Sequence, residues 1–310
     1  MEWARGIGIQ MADAVGCSSE SSFFHKIRLI LELIKFEHTV FALPFALASA
    51  VVAAGGFPGW WKLGWILAAM VGARSAAMAF NRIVDAHYDA QNPRTENRAL
   101  PKGLISKSAV WLIVVLGAGL LVLSAGMLNR LALMLSPAAL AVVLGYSYTK
   151  RFTQWSHIVL GLSLGIAPVG AWIGVKGAIE PAPIVLAAAV MLWTAGFDVI
   201  YSLQDVDFDR NFGLFSLPKA VGERRALAVS RLMHLAAVCI LALFGLMENM
   251  GVVYYIGVAA VSACIGYEQS LVKPGDYSRV DTAFFTMNGF VSIGFLLFVA
   301  VDILLRVYVG

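Results

Sequence analysis

Long uninterrupted apolar runs dominate this 310-residue chain and set the strongest limit on what it can fold into. Hydrophobic residues make up 60% of the sequence and charged residues 14%, whereas soluble domains average about 45–50% apolar and about 25% charged residues. This composition excludes an ordinary soluble enzyme and a disordered chain. The apolar residues come in runs and do not alternate with polar ones as in membrane β-barrels, so the sequence predicts an all-α polytopic membrane protein.

A helix that crosses a membrane requires about 20 mostly apolar residues. By this criterion the chain has nine candidate spans, at 39–56, 60–80, 109–128, 131–148, 157–175, 183–203, 229–247, 250–268 and 283–305. We expect one domain over residues 23–310, preceded by an N-terminal tail at 1–22. Residues 23–36 alternate basic and apolar side chains at helical spacing, which favours either an interfacial helix or a cytosolic extension of the first span.

The positions of the basic residues predict how the chain crosses the membrane. Eighteen of the 23 Lys and Arg residues precede the first span or fall in loops on the same side, and Arg74 lies inside a span. The opposite side receives four, namely Lys62, Arg130, Lys176 and Arg306. Because Lys and Arg are enriched in cytoplasmic loops, we expect a cytoplasmic N-terminus in a cell inner membrane.

Two polar stretches, at the ends of the second and sixth spans, look like copies of each other. Each contains an Asp-x-x-x-Asp pair, and a constant offset of 120 residues separates Asp85 and Asp89 from Asp205 and Asp209. A Leu-Pro-Lys tripeptide follows each pair. An internal repeat of this kind in a membrane protein indicates a shared central site.

The spacing of these acids indicates metal binding. On a helix, Asp85 and Asp89 lie one turn apart on one face, with Asn81 one turn earlier, and Asp198, Asp205 and Asp209 share a similar stripe with Tyr201. Carboxylates one turn apart repel each other unless a cation lies between them. Oxygen ligands select hard cations, and Mg²⁺ is typically held by one or two carboxylates while substrate phosphates complete its shell.

Basic residues are interleaved with the acids in both stretches and also follow the fourth span. They are Arg94, Arg98, Lys102, Lys150, Arg151, Arg210 and Lys219. A site that binds only metal ions does not need so many basic side chains. A metal-bridged diphosphate does need them, because they neutralise its remaining oxygens. The pattern therefore predicts that a diphosphate binds where the two stretches meet.

Other polar residues near these stretches have more than one interpretation. Arg82 lies on the same helical side as the first aspartate pair, where it would form a structural ion pair or contact substrate. Asp207 points away from the second pair in a continuous helix and would turn inward only at a break, so both orientations stay open. The isolated histidines, His87, His157 and His234, are expected to be loop or packing residues.

Four motifs, taken in order, resemble those of the UbiA superfamily of intramembrane aromatic prenyltransferases. They are Asn81-x-x-x-Asp85-x-x-x-Asp89, Arg94-Thr95-x-x-Arg98-x-Leu100-Pro101, Tyr146-x-x-x-Lys150 and Asp198-x-x-Tyr201-x-x-x-Asp205-x-x-x-Asp209. The resemblance runs from the Leu29 region to the C-terminus. It implies nine transmembrane helices around a central cavity, with an active site on the cytoplasmic side where two aspartate motifs hold Mg²⁺ and a polyprenyl diphosphate.

Residue roles follow from this resemblance. The implied metal ligands are Asp85, Asp89, Asp205 and Asp209, and the implied diphosphate contacts are Asn81, Arg94, Arg98, Tyr146 and Lys150. Asp205 and Lys150 also belong to the expected catalytic set, together with Asp198, our candidate for the group that takes a proton, for which structural pairing is an equal alternative. Arg82 is a departure, because 4-hydroxybenzoate prenyltransferases usually have Asp directly after the motif-one Asn.

The resemblance implies Mg²⁺-dependent transfer of a polyprenyl group from polyprenyl diphosphate to a hydroxyaryl carboxylic acid, 4-hydroxybenzoate or a dihydroxynaphthoate, in ubiquinone or menaquinone formation. Membrane lipid is the other expected partner, and no nucleic acid is expected. Residues 36–44, 79–82 and 196–201 are more similar to the branch named MqnP, associated with menaquinone formation by the futalosine route.

Two other classes of protein share part of this pattern. A transporter or cation carrier also places carboxylates near repeat interfaces, but it does not account for the interleaved bases. A CDP-alcohol phosphotransferase would need an Asp-Gly and Ala-Arg arrangement that does not occur around Asp85.

Overall fold

The computed structural model of the protein describes residues 39–308, together with Leu29 and Leu33. Within these residues the secondary structure is helical, apart from one isolated antiparallel β-bridge between Lys273 and Asp276. The predicted tail at 1–22 and most of the basic segment at 23–36 lie outside the described residues. Leu33 is helical and buried, and it packs in a cluster with Leu100.

Eleven α-helices follow one another between residues 39 and 308. They are α1 (Thr39–Ala54), α2 (Trp60–Asp89), α3 (Lys107–Leu128), α4 (Arg130–Gly145), α5 (Ser156–Lys176), α6 (Pro181–Ser202), α7 (Val206–Asn211), α8 (Leu217–Val221), α9 (Glu223–Met247), α10 (Val252–Leu271) and α11 (Asn288–Tyr308). Short 3₁₀ helices at Tyr146–Arg151 and Leu203–Asp205 extend α4 and α6, and a π-helix at Thr282–Met287 leads into α11.

Seven helical segments between residues 39 and 308 are long and apolar enough to cross a membrane. They are Trp60–Asp89, Lys107–Leu128, Arg130–Arg151, Ser156–Lys176, Pro181–Asn211, Glu223–Met247 and Thr282–Val307. A shorter apolar helix covers Phe41–Ala54, and α10 has 20 residues but contains the polar pair Glu268-Gln269 in its last turn. The prediction of an all-α multi-pass membrane protein is confirmed, and the count of nine spans stays a prediction.

Glycines bring the helices that carry the two aspartate motifs close to their neighbours. A Cβ on Gly72 of α2 would lie 2.7 Å from the carbonyl oxygen of Gly117 on α3. A Cβ on Gly165 of α5 would lie 2.7 Å from the carbonyl oxygen of Ala187 on α6. Helices in lipid associate through close backbone packing, because the lipid tails are as apolar as the side chains. These contacts hold α2 and α6 in fixed positions.

The helices alternate in direction, so their connecting segments gather at two ends of the bundle. At one end, the Lys62 ammonium donates to the carbonyl of Val175 and the Asn129 amide donates to the carbonyl of Ile173, both at 2.7 Å. The opposite end carries the segment after α2, the 3₁₀ helix after α4 and the extension of α6. All four sequence motifs therefore lie toward one end of the bundle, the end rich in basic residues.

Candidate active site

A cavity of about 930 Å³ lies at this end of the bundle, between the C-terminal parts of α2 and α6. Its lining contains all ten residues to which the four motifs assigned a role, namely Asn81, Asp85, Asp89, Arg94, Arg98, Tyr146, Lys150, Asp198, Asp205 and Asp209. The tertiary structure thus brings together four motifs that are separated along the chain. Carboxylates and bases alternate around the cavity walls, as the interleaved sequence pattern predicted.

Arg94 joins the first polar stretch to the second aspartate motif. Its Nε lies 3.0 Å from Oδ1 of Asp205 and its Nη2 lies 2.6 Å from Oδ2, while Nη1 donates to the Tyr201 hydroxyl at 2.8 Å. Burial, the largest single influence, lowers the pKa of the Arg94 guanidinium, but the charges of Asp205, Tyr201 and Asp89 and the hydrogen bond to Asp205 together raise the pKa above its ordinary value. The guanidinium is therefore a fixed positive charge in the cavity wall.

Arg98 makes the equivalent contact within the first stretch. Its Nη1 lies 2.6 Å from Oδ1 and 2.7 Å from Oδ2 of Asp89, and the Thr95 hydroxyl donates to the Asp89 carbonyl at 3.0 Å. Arg82 is buried, with Nη1 3.7 Å from Oδ2 of Asp89, and it also lines the cavity. Arg82 thus takes part in an ion pair, the structural interpretation that its position in the sequence left open.

The first acid of motif one is held from two sides. Asn81 donates to Oδ2 of Asp85 at 2.8 Å, one helical turn away as the spacing predicted. Arg151 lies 3.8 Å from the other carboxylate oxygen, with its guanidinium carbon 5.4 Å from the Tyr88 ring centroid and 5.2 Å from the Tyr148 ring centroid. Arg151 therefore fastens the 3₁₀ helix after α4 to the end of α2.

A break after α6 shapes the second aspartate motif. The chain tightens into a 3₁₀ turn at Leu203–Asp205 before α7 begins, and Asp205 and Asp209 both line the cavity. The Asp207 side chain is 93% exposed and pairs with Arg210 at 3.4 Å on the surface. Asp207 therefore points away from the cavity despite the break, which decides between its two orientations.

Three cations that resembled phosphate ligands in the sequence lie outside the cavity lining, and two of them have other partners. The Lys219 ammonium donates to the carbonyls of Leu214 at 2.6 Å and Asp209 at 3.1 Å, so it holds the backbone of its own loop. Arg210 is engaged with Asp207, and neither it, Lys219 nor Lys102 belongs to the cavity lining. The expectation that these three cations face the substrate is wrong.

His157 is a residue of the site that the sequence did not reveal. It is fully buried, and its Nδ1 lies 2.6 Å from Oδ2 of Asp198, while its Nε2 accepts a hydrogen bond from the backbone N–H of Leu217 at 3.3 Å. His157 was expected to be a packing or loop residue; it is buried as a packing residue would be, and in addition it contacts a cavity-lining acid. Nothing in the local sequence signals the contact, because Asp198 lies 41 residues further along the chain.

A second, apolar cavity of about 380 Å³ continues from the first into the bundle. The two cavities share Met78, Asn81, Tyr146 and Leu160 in their linings. Arg74 contributes a charge to this apolar wall, and its buried Nε has no hydrogen-bond partner. A buried guanidinium nitrogen without a partner in an apolar cavity is costly, so this position is suited to an anionic group of a ligand.

The oxygen donors of the cavity include carboxylates of the kind that divalent cations bind. Among residues 39–308 there is no group of three or more His, Cys, Asp or Glu side chains that by itself could hold a metal ion. Mg²⁺ does not require one, because it usually takes one or two carboxylates and completes its shell with water and substrate phosphates. Asp209 is buried with Oδ2 lacking a donor, which is the condition of an oxygen suited to a cation. This oxygen of Asp209 therefore fits Mg²⁺, while the carboxylates of Asp89 and Asp205 are paired with Arg98 and Arg94 in this structure.

The fold and this cavity define a membrane-embedded transferase. The family model described as the UbiA prenyltransferase family matches residues 42–292. The chain belongs to that family and is a prenyltransferase, as its motifs predicted.

Curated relatives agree with this family. The chain is 31% identical over 252 residues to a 4-hydroxybenzoate octaprenyltransferase of Aliivibrio salmonicida strain LFI1238, covering 81% of this chain and 87% of that protein. It is 30% identical over 250 residues to the enzyme of the same name from Salmonella newport strain SL254, covering 80% of this chain and 84% of that protein.

Solved structures share the fold. The apo structure of a UbiA homolog from Aeropyrum pernix K1 superimposes with a TM-score of 0.75 at 33% identity, covering 87% of this chain and 98% of that one. A UbiA homolog from Archaeoglobus fulgidus bound to DMAPP and Mg²⁺ superimposes with a TM-score of 0.70 at 20% identity, covering 88% and 98%. At 20% identity, the comparison with the Archaeoglobus fulgidus protein shows that the two chains share a fold.

Proposed function

We propose that this prenyltransferase moves a polyprenyl group from polyprenyl diphosphate to a hydroxyaryl carboxylic acid, with 4-hydroxybenzoate and a dihydroxynaphthoate as the two candidate acceptors. The main support for the proposal is that residues from all four motifs line one charged cavity. This cavity continues into a second, apolar cavity. The names of the curated relatives support an aromatic acid acceptor. The DMAPP and Mg²⁺ of the Archaeoglobus fulgidus homolog support a prenyl diphosphate donor.

The diphosphate head binds in the charged cavity. Arg94, Arg98 and Lys150 supply its positive wall, and Asn81 and Tyr146 supply hydrogen-bonding groups. Mg²⁺ would be held by Asp85, Asp89, Asp205 and Asp209. When bound there, the metal neutralises the charge that develops on the diphosphate. The basic side chains act in the same direction, since each stabilises the leaving group more as its negative charge grows.

The chemical step forms one carbon–carbon bond. The allylic C1–O bond breaks with its electron pair going to the diphosphate, and a ring carbon of the acceptor supplies a π-electron pair to C1. The proton on that ring carbon then passes to the Asp198 carboxylate, which restores aromaticity. Asp198 lines the cavity and its side chain is 16% exposed, so it has access to a bound ring.

Arg74 is suited to the carboxylate of the acceptor. It lies seven residues before Asn81 on α2, which places it on the same helical face and about 10 Å deeper in the bundle. A ring between Asn81 and Arg74 would present its reacting carbon to the diphosphate side and its carboxylate to the guanidinium. The apolar walls of the smaller cavity would take the first isoprene units, and the remaining tail would pass into lipid.

We also propose a setting for this reaction. We place the enzyme in quinone formation of the ubiquinone or menaquinone type, in a cell inner membrane with the N-terminus cytoplasmic. The excess of basic residues at the cavity end supports this orientation. The membrane supplies the donor, because a polyprenyl tail partitions into lipid.

The deciding experiment is turnover by the purified protein in lipid. It is given Mg²⁺, a polyprenyl diphosphate and 4-hydroxybenzoate in one tube or a dihydroxynaphthoate in another, and diphosphate release and product mass are followed. A prenylated acid in either tube supports the proposal and names the acceptor. Ion or solute counterflow in liposomes without turnover would instead support a transporter and end the proposal.

A further inference from the structure

A chain of two hydrogen bonds runs from the backbone of the second Leu-Pro-Lys segment to an acid in the cavity wall. The backbone N–H of Leu217 points at Nε2 of His157 at 3.3 Å, and Nδ1 of His157 lies 2.6 Å from Oδ2 of Asp198. Three separate elements meet here, since His157 lies in the first turn of α5, Asp198 lies on α6 and Leu217 begins α8. The imidazole is 1% exposed, so water does not compete for either nitrogen.

The backbone contact fixes the imidazole tautomer. Nε2 can accept the Leu217 N–H only through its lone pair, so the ring proton resides on Nδ1. Nδ1–H must then donate to Asp198 Oδ2. A backbone amide cannot change its role as a donor, and this makes the assignment independent of small movements in the side chains.

We propose that His157 is a positioning residue that orients Asp198 for removal of the ring proton. This inference rests on the proposed function, in which Asp198 accepts that proton. The hydrogen bond occupies Oδ2 and stops rotation of the carboxylate about its Cβ–Cγ bond. None of the described residues donates to Oδ1, so that oxygen is left for the acceptor ring.

The His157 imidazole orients the Asp198 carboxylate in the way that a hydrogen-bonding neighbour orients a metal ligand. It holds the reacting group at one angle without touching the substrate, and the loss of such a partner typically costs about 10- to 100-fold in activity. The alternative is that His157 merely ties α5, α6 and α8 together. Both interpretations predict a damaged protein on truncation, so truncation to alanine alone does not separate them.

Two near-isosteric variants do separate them. In His157→Asn the side-chain NH₂ takes the place of Nδ1–H and keeps the donor to Asp198, while the acceptor for the Leu217 N–H is lost. In His157→Gln the side-chain oxygen takes the place of Nε2 and keeps the Leu217 contact, while the donor to Asp198 is lost. His87→Gln is the matched control, because His87 is partnered by Gln91 outside the cavity lining.

Turnover is measured with unlabelled and ring-deuterated acceptor. For the positioning role we expect His157→Gln to lower kcat by about 10- to 100-fold with little change in either KM, and to enlarge the deuterium isotope effect on kcat. His157→Asn is expected to retain most of the wild-type kcat and isotope effect. A reversed order, with Gln active and Asn inactive, would show that the backbone tie matters and would overturn the inference, as would equal activities of the two variants.

A measurement without turnover keeps the inference testable if the proposed substrates fail. In ¹⁵N NMR of the labelled protein in lipid, the His157 imidazole is identified by its absence in His157→Asn. We expect a protonated Nδ1 whose shift changes in Asp198→Asn, and a proton on Nε2 would overturn the inference. An inactive wild-type protein with this Nδ1–H signature refutes the substrate proposal alone, whereas an active Asp198→Asn refutes the role of Asp198 and, with it, that of His157.

Discussion

The guanidinium of Arg94 and the carboxylate of Asp205 form a two-point pair across 111 residues of chain, with Nε–Oδ1 at 3.0 Å and Nη2–Oδ2 at 2.6 Å. This pair ties the segment after α2 to the break after α6. Asn92 of the same segment adds a contact to Asp205 Oδ1 at 3.4 Å. The charged cavity is therefore closed by contacts between the two halves of the molecule, which neither half could form alone.

Arg94→Lys is expected to weaken use of the prenyl diphosphate. Lysine keeps the charge but loses the planar fork that fits the Asp205 carboxylate and a phosphate. Loss of one charged hydrogen bond of about 1.5–3 kcal/mol corresponds to about a 10- to 100-fold fall in kcat/KM for the donor. Steady-state kinetics with the donor varied measure the effect. Arg210→Lys, on the surface, serves as the control, and equal kinetics in the two variants would contradict the assignment of Arg94.

Asp205→Asn is expected to abolish turnover while the protein still inserts into membranes. The substitution removes a negative charge from the donor set that fits Mg²⁺ but changes the side-chain volume little. Asp207→Asn is a matched control two residues away, because Asp207 is exposed and faces Arg210. Product formation and the Mg²⁺ concentration for half-maximal rate are measured for both. Near-normal activity of Asp205→Asn would refute the second metal motif.

Removal of divalent cations with EDTA should stop turnover, and added Mg²⁺ should restore it. Without bound Mg²⁺, the aspartate pairs supply no positive charge to stabilise the diphosphate as it leaves. Binding of Mn²⁺, followed by its electron paramagnetic resonance signal, should require the prenyl diphosphate, because substrate phosphates complete the shell. Full activity in the presence of excess chelator would exclude the proposed cation.

Lys150→Met should raise the KM for the prenyl diphosphate more than that for the acceptor. Its ammonium is a compact charge in the cavity wall, and methionine keeps much of the aliphatic stem. Lys102→Met tests the loss of a lysine that lies outside the cavity lining, and it should leave both constants unchanged. An effect of Lys150→Met confined to the acceptor KM would assign the lysine to the other substrate.

Arg74→Met should reduce discrimination between acceptors that differ only in a carboxylate. We expect wild-type enzyme to use 4-hydroxybenzoate far better than phenol, because the acid alone pairs with the guanidinium, by about 10-fold or more for a charged hydrogen bond. In the variant the two acceptors should be used at similar, low rates. If the preference for the acid survives unchanged, Arg74 does not bind the carboxylate.

Spacing along a single helix was sufficient to predict which neighbouring residues of the site contact each other. Asn81 and Asp85 are four residues apart, so they share a face of α2 wherever that helix packs, and their hydrogen bond followed. The orientation of Asp207 was undecided in the sequence because it depended on how the chain leaves α6. A 3₁₀ turn at Leu203–Asp205 precedes it, and its side chain nevertheless points to solvent.

The partners of individual charges were harder to foresee. Lys219 lies in a repeated Leu-Pro-Lys segment and resembled a phosphate ligand, but the loop brings the carbonyls of Asp209 and Leu214 within its reach. His157 resembled a packing residue because its partner lies on another helix. A lysine or histidine has several possible partners, and the backbone path decides which of them is near.

The sequence by itself determined the membrane class, the helical period and the two aspartate pairs, because hydrophobicity and covalent spacing act locally. Tertiary structure alone decided that Arg94 pairs with Asp205, that His157 holds Asp198 and that Arg74 lines an apolar cavity without a partner for its Nε. Those contacts depend on which helices pack together. Packing is fixed by the summed fit of the whole bundle, including the close approach allowed by Gly165, and no single motif encodes it.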